Sequence, residues 1–258
     1  MNYQHEIDIA MYAARQAGDL ALRHFASGAV AAVKPDLSPV TIADRECEQL
    51  ISGILAGHFP DDGILGEEGT FKASRSQRRW IIDPIDGTRD FVRGTDFWAI
   101  QIALEDYGDV VLGAVYFPCL NEMLHAVSGM GCFWNGSLTK AVPATSLEKS
   151  ILLVSGLKAL WKVWDPDRIR QLTEACWTVR SYGASYDVLM LARGRGDIWL
   201  SGGGMEWDYA PARIIAQEVG VLFLTRNGVG RIDLRHCLIC PPGLAQELRE
   251  ILLIPESA

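Results

Sequence analysis

The chain has 258 residues, 49% of them hydrophobic, with 24 Lys and Arg against 32 Asp and Glu and a net charge of -8. That is enough apolar material for a substantial core, as one large domain or two coupled halves. The acidic balance and the absence of a long basic run argue against a nucleic-acid binder, and no stretch approaches the roughly 20 apolar residues of a membrane span. Met1 to Asp8 lacks the basic-then-apolar pattern of a leader, so a soluble, cytoplasmic protein with no membrane partner is the expectation.

In chain order, apolar periodicity predicts an amphipathic helix over 6–26 and a second over 43–57. Strands are then expected near 64–66, 79–83, 97–105, 110–117 and 122–127, with Tyr107-Gly108-Asp109 as a hairpin turn. Past Pro143 the pattern changes to alternation: strand 151–154, helix 166–175, strand 177–180, helix 184–193, strand 197–200 and helix 207–218. This is an α+β half, 1–140, followed by an α/β half, 141–258.

The chemistry concentrates in Trp80-Ile81-Ile82-Asp83-Pro84-Ile85-Asp86-Gly87-Thr88-Arg89-Asp90-Phe91. Ile81 and Ile82 suit a buried strand, and Pro84 is expected to end it beside Asp83 while holding Asp83 extended. Asp86 then returns to the same side, which places two hard oxygen ligands on one small volume. Gly87 lets the backbone approach a ligand, and Thr88 adds a hydroxyl at the start of a helical turn, where free N–H groups attract phosphate. Asp-Pro and Asp-Gly also serve as ordinary turns, with Asp86 as a helix cap, and that reading stays open for the dodecapeptide alone.

Three further segments bear on the choice. Gly63-Ile64-Leu65-Gly66-Glu67-Glu68-Gly69 is a short apolar strand ending in paired acids, with Glu67 as the candidate ligand. Met205-Glu206-Trp207-Asp208 opens a helix whose apolar residues at 207, 210, 214, 215 and 219 bury one face and leave Asp208 at the N-terminal rim. Lys34-Pro35-Asp36-Leu37-Ser38-Pro39-Val40-Thr41-Ile42-Ala43-Asp44 is a proline-broken loop running into a helix near Asp44, an acid that also fits a simple cap.

At these four segments the sequence resembles the inositol monophosphatase superfamily of metal-dependent, lithium-sensitive phosphatases. Asp83-Pro84-Ile85-Asp86-Gly87-Thr88 with Phe91 matches its DPxDGTxxF signature, Gly66-Glu67-Glu68 its GEE, Pro39 to Asp44 its PVTxAD, and Trp207-Asp208 through Gly220 its WDxAxxxxxxxEAG. The resemblance implies a layered αβαβα sandwich of the inositol monophosphatase and fructose-1,6-bisphosphatase type. It implies that Glu67, Asp83 and the Ile85 carbonyl hold one Mg²⁺ and that Asp83, Asp86 and Asp208 hold a second. It further implies that the Gly87 and Thr88 N–H groups bind phosphate, that Asp44, Glu67 and Thr88 serve catalysis, and that Lys34 sits on a mobile loop near a third metal position. Mn²⁺ as a substitute, inhibition by Li⁺ and a homodimer belong to the same implication.

An all-oxygen ligand set favours Mg²⁺ or Mn²⁺ over zinc. Acids gathered without cations repel one another and should titrate high. The substrate side is read from Arg93, where the sequence is similar to the Arg-Gly form of histidinol-phosphate phosphatases, and from Arg180, Ser201 and Glu206. Ser201 stands where inositol-specific relatives place a Glu, with Glu206 as a substitute from the neighbouring turn; Ala184 and Val221 also depart from the family pattern. The expected activity is hydrolysis of a small phosphate monoester, histidinol phosphate slightly ahead of inositol monophosphate. A 3′-phosphoadenosine nucleotide or fructose 1,6-bisphosphate is the second enzyme reading, and a non-catalytic ligand-binding relative the third. Cys237 and Cys240, the one spaced pair among six cysteines, read as buried structural thiols, and Gly202-Gly203-Gly204 as a flexible turn.

Overall fold

The computed structural model describes residues 3–28, 30–34, 39–142, 144–183 and 185–256. The first half opens with α1 (Gln4–Ser27), the short paired strands β1 (Ala32–Val33) and β2 (Pro39–Val40), and α2 (Ile42–His58). It continues through β3 (Gly63–Gly66), β4 (Phe71–Lys72), β5 (Arg78–Asp86), α3 (Thr88–Arg93), β6 (Ala99–Asp106), β7 (Asp109–Phe117), β8 (Glu122–Val127), β9 (Gly131–Trp134) and β10 (Ser137–Thr139). The second half contains β11 (Ile151–Ser155), α4 (Leu157–Val163), α5 (Pro166–Ala175), β12 (Thr178–Arg180), α6 (Tyr186–Ala192), β13 (Ile198–Gly202), α7 (Glu206–Val219), β14 (Leu222–Leu224), β15 (His236–Cys240) and α8 (Ala245–Leu252).

Among the described residues the strands form two large sheets, in the orders β10-β9-β8-β7-β6-β5-β3-β4 and β12-β11-β13-β15-β14. Alternation of apolar side chains decides the layers. On β5, Ile82 faces α1 and α2 with Ile100, Ile102 and Leu112, whereas Ile81 faces the opposite core with α6 and α7. The second sheet repeats this: Leu153, Trp199 and Ile239 face α6 and α7, while Leu152, Leu200 and Leu238 pack beneath α4, α5 and α8. The result is the expected αβαβα sandwich, with α7 buried between the sheets. Gly113 of β7 allows this close approach, since a Cβ there would lie 2.9 Å from Pro211 Cα.

Two sequence expectations change. Pro84 does not end its strand: β5 runs on to Asp86, and the pairing with β6 shifts between Asp83 opposite Gln101 and Asp86 opposite Ala99. A bulge accommodates a residue with no N–H to give, so the proline re-aims the chain without breaking it. Gly202 is a buried strand residue of β13 and not part of a flexible turn. The short strands β9, β10, β14 and β15 and the helices α4 and α8 were not among the expected elements, α8 despite buried apolar residues at 245, 248, 251 and 252 along one face. Pro35 to Ser38, Pro143 and Ala184 lie outside the described residues, and with them the middle of the proline-broken loop, the change of pattern near Pro143 and one family departure.

Candidate active site between the two sheets

The strand end and the helix start that carry the acids converge at the carboxyl end of β5. Ligand oxygens of Asp83, Asp86 and Asp208 lie within 4.8 Å of one another, at the base of a cleft of about 310 Å³. Glu67, Ile85, Gly87 and Thr88 line the same cleft. Local chemistry aims each group. The Ile85 N–H donates to Asp83 Oδ1 at 3.1 Å across the bulge, and the Met205 N–H donates to Asp208 Oδ2 in the first turn of α7. Gly66, before Glu67, has no room for a side chain because the Glu48 carboxylate sits 2.4 Å from where its Cβ would be. Glu48 in turn accepts from the Glu68 and Thr70 N–H groups at 2.6 and 2.8 Å, which pins the turn that presents Glu67.

Asp44 performs the capping role and more. Its Oδ2 accepts from the Thr41 N–H and hydroxyl at 2.7 and 2.6 Å, closing a capping box at the start of α2. Its Oδ1 faces the Thr88 hydroxyl at 3.4 Å, and the same hydroxyl lies 3.2 Å from the Ile85 carbonyl. Asp44 therefore stands behind Thr88, fully buried. At the head of α3, Gly87 takes φ +89°, a left-handed conformation suited to glycine, and Gly87, Thr88 and Arg89 all line the cleft.

The electrostatics are those of a site assembled for cations. Burial, and after it Glu67, Asp86 and Asp208, push the Asp83 carboxyl well above its usual range. Burial raises Asp208, with Asp86 as the next cause, and raises Asp86 against the opposing hydrogen bonds from Ser185. Burial also raises Asp44. Lys34 Nζ supplies the nearest compensation, donating to Glu67 Oε1 at 2.9 Å and to Glu68 Oε1. Clustered, dehydrated carboxylates, with Ile85 lining the same cleft, are the all-oxygen donor chemistry of a hard divalent ion, so the residues fit Mg²⁺ or Mn²⁺.

The substrate-side residues read from the sequence divide. Ser201 is buried in the cleft wall, with its Oγ 3.2 Å from the Tyr209 hydroxyl. Arg93, Arg180 and Glu206 are not among the residues that line the cleft. Arg93 is exposed at the far end of α3. Arg180 is exposed on the edge strand β12 and folds back on Thr178 Oγ1 at 2.6 Å and the Val179 carbonyl at 2.8 Å. Glu206 is taken by Arg79, at 2.8 Å.

Sequence reasoning missed Ser185, whose N–H donates to Asp86 Oδ2 at 2.6 Å and whose hydroxyl donates to the same oxygen. It also missed Ser155, Trp199 and Tyr209 in the cleft wall. Ser155 Oγ accepts from Trp199 Nε1 at 2.8 Å and donates to Asp187, which also gathers the Tyr182 and Gly183 N–H groups. No local signal marks Ser185, Ser155 or Trp199, because each acquires its role from a partner far along the chain, whereas Tyr209 bonds Ser201 and Gly204 just before its own helix.

Comparison with known proteins agrees with this geometry. The model of the inositol monophosphatase family matches residues 2–253. A histidinol-phosphatase of Chlorobaculum parvum is 35% identical over 216 residues, 83% of each chain. A fructose-1,6-bisphosphatase/inositol-1-monophosphatase of Thermotoga maritima is 34% identical over 73% of this chain and 72% of its own. The solved structure of the extragenic suppressor protein suhB from Bartonella henselae superposes with a TM-score of 0.88 at 26% identity, covering 96% of this chain and 98% of that one.

Proposed function

The chain belongs to the inositol monophosphatase family and is a phosphoric monoester hydrolase, and from that premise we propose that it is a Mg²⁺-dependent phosphatase of a small metabolite, with histidinol phosphate ahead of inositol monophosphate. The observation that carries the reading is the meeting of Asp83, Asp86 and Asp208 at the foot of a cleft whose next turn is Gly87-Thr88. In this reading Glu67, Asp83 and the Ile85 carbonyl hold one Mg²⁺, and Asp83, Asp86 and Asp208 hold a second. The ions, when bound, neutralise phosphoryl oxygens and lower the pKa of water.

The protein's own groups do the rest. The Gly87 and Thr88 N–H groups hold the phosphoryl oxygens. Thr88 Oγ1, anchored between Asp44 and the Ile85 carbonyl, orients the attacking water, and Asp44, raised by burial, accepts its proton. Water oxygen bonds to phosphorus, the bond from phosphorus to the alcohol oxygen breaks, and the alcohol leaves with a proton drawn from solvent. Ser155, Trp199, Ser201 and Tyr209 form a neutral, hydroxyl-bearing wall for the alcohol.

The substrate order rests on the relative named histidinol-phosphatase. The relative named for both fructose 1,6-bisphosphate and inositol monophosphate supports the second reading. We place the enzyme in the cytoplasm as a homodimer whose halves, 1–140 and 141–258, meet at the cleft; no helix among the described residues is long and apolar enough to cross a membrane.

A panel of these phosphate esters, assayed for phosphate release with Mg²⁺ and with added Li⁺, tests the proposal. The expected result is Mg²⁺-dependent release that Li⁺ suppresses and that Asp83→Asn lowers by more than about 100-fold, beyond what loss of an outer-sphere group costs. Phosphate release by Asp83→Asn at the unmutated rate would remove the mechanism. An unmutated enzyme that binds these esters without hydrolysing them would move the non-catalytic reading ahead.

A further inference from the structure

We propose that Arg79 is an electrostatic latch that holds the first turn of α7 against β5 and so positions Asp208 beside Asp83 and Asp86. The Arg79 Nη2 atom donates to Glu105 Oε2 at 2.9 Å and to Glu206 Oε2 at 2.8 Å. Glu105 is its cross-strand neighbour on β6, so that contact stays within one sheet. Glu206 is the first residue of α7 and lies 127 positions away in sequence. Arg79 stands one short stretch of β5 before Asp83, and Glu206 two residues before Asp208. The latch thus joins the two elements that deliver the acids, from the side away from the cleft that the acids line.

Charge supplies the reason for such a device. Three carboxylates with oxygens within 4.8 Å repel one another, and that repulsion tends to drive the α7 terminus away from β5. The body of α7 is fixed by Ala210, Ile214 and Ile215 in the core, and its last turn by Glu218, which accepts from the Gly129 and Gly131 N–H groups at 3.0 and 2.9 Å. Residues 204–208 are only half-buried. The Met205 N–H orients Asp208 within its own turn and does not tie that turn to the other sheet. Among the described residues, Arg79 to Glu206 is the ion pair that joins β5 to α7. Glu206 accordingly acts through Asp208 and not on the substrate.

The inference rests on the metal reading above, and its test separates the two. Mn²⁺ alone is titrated calorimetrically into metal-free protein, and the melting of each metal-free variant reports folding. Glu206→Gln is expected to weaken Mn²⁺ binding by about 10-fold, the lower end for outer-sphere partners, while Glu105→Gln stays within about 2-fold. Arg79→Glu should weaken it at least as much, and the exchange Arg79→Glu with Glu206→Arg should recover most of the loss. Unchanged affinity in Glu206→Gln overturns the latch, as does an equal loss in Glu105→Gln. Failure of the unmutated protein to bind Mn²⁺ removes the metal reading on which the latch stands.

Discussion

Replacing Asp208 by Asn is expected to stabilise the metal-free protein while removing its response to Mg²⁺. Burial, and after it Asp86, hold the Asp208 carboxyl up to about 8, from an ordinary 3.8. A folded-state value raised above the unfolded one contributes stability that is complete below about pH 4 and is lost as pH climbs to about 8. The gap of about four units, at about 1.4 kcal/mol per unit, sets a ceiling of about 6 kcal/mol at pH 8. Asp208 is half-buried and shares its titration with its neighbours, which brings the net effect to about 2 kcal/mol. For a chain near this size that is an upward shift in melting temperature of about 4–8 °C. Asn keeps a carbonyl oxygen for the Met205 N–H, so the helix start survives the substitution. Circular-dichroism melts in EDTA near pH 8 and pH 5, with and without millimolar Mg²⁺, measure both halves of the expectation. The gain should shrink to about a quarter at pH 5, where most of the protonation cost has yet to accrue. An Asn variant that melts below the unmutated protein in EDTA near pH 8, or that keeps the full Mg²⁺ shift, would refute the reasoning.

Three other substitutions probe the cleft walls and a residue outside them. Gly156 sits at φ +67°, where an added Cβ would lie 2.1 Å from the Gly202 carbonyl oxygen. Gly156→Ala should therefore cost about 2 kcal/mol or more, from left-handed strain and forced displacement together, read as a lower denaturation midpoint in urea. Arg93→Ala, outside the cleft, should leave KM within about 2-fold, whereas Ser201→Ala should raise it about 3- to 10-fold, the worth of one neutral hydrogen bond. Equal effects of the two on KM would return Arg93 to the substrate side.

Much of the fold was legible because its long elements carry strong local periodicity. The α1, α2, β6 and β7 segments were expected to within a few residues, and Tyr107-Gly108 turns between β6 and β7 with positive φ at both positions. The short strands β9, β10 and β14 were not legible, since three or four residues hold too little pattern to separate a strand from a loop. Pro84 misled for a related reason: its missing donor is a local fact, whereas the bulge that absorbs it depends on pairing with β6.

The sequence by itself determined the acids and the turn that present them. Asp83, Asp86, Gly87 and Thr88 are neighbours whose backbone chemistry is set by proline and glycine, and Glu67, Asp44 and Asp208 each sit in a short segment with its own cap or turn. Only the tertiary structure decided what holds and surrounds them. The bond from Ser185 to Asp86 spans 99 positions and that from Arg79 to Glu206 spans 127. A pairing of that kind is written in neither segment, because it exists only once two sheets have packed on opposite faces of α7. The same packing moved Glu206 and Arg180 away from the cleft and brought Trp199 and Tyr209 to it. Which acids are offered is thus a property of local backbone, while where they meet and what lines the cleft around them are properties of the packed whole.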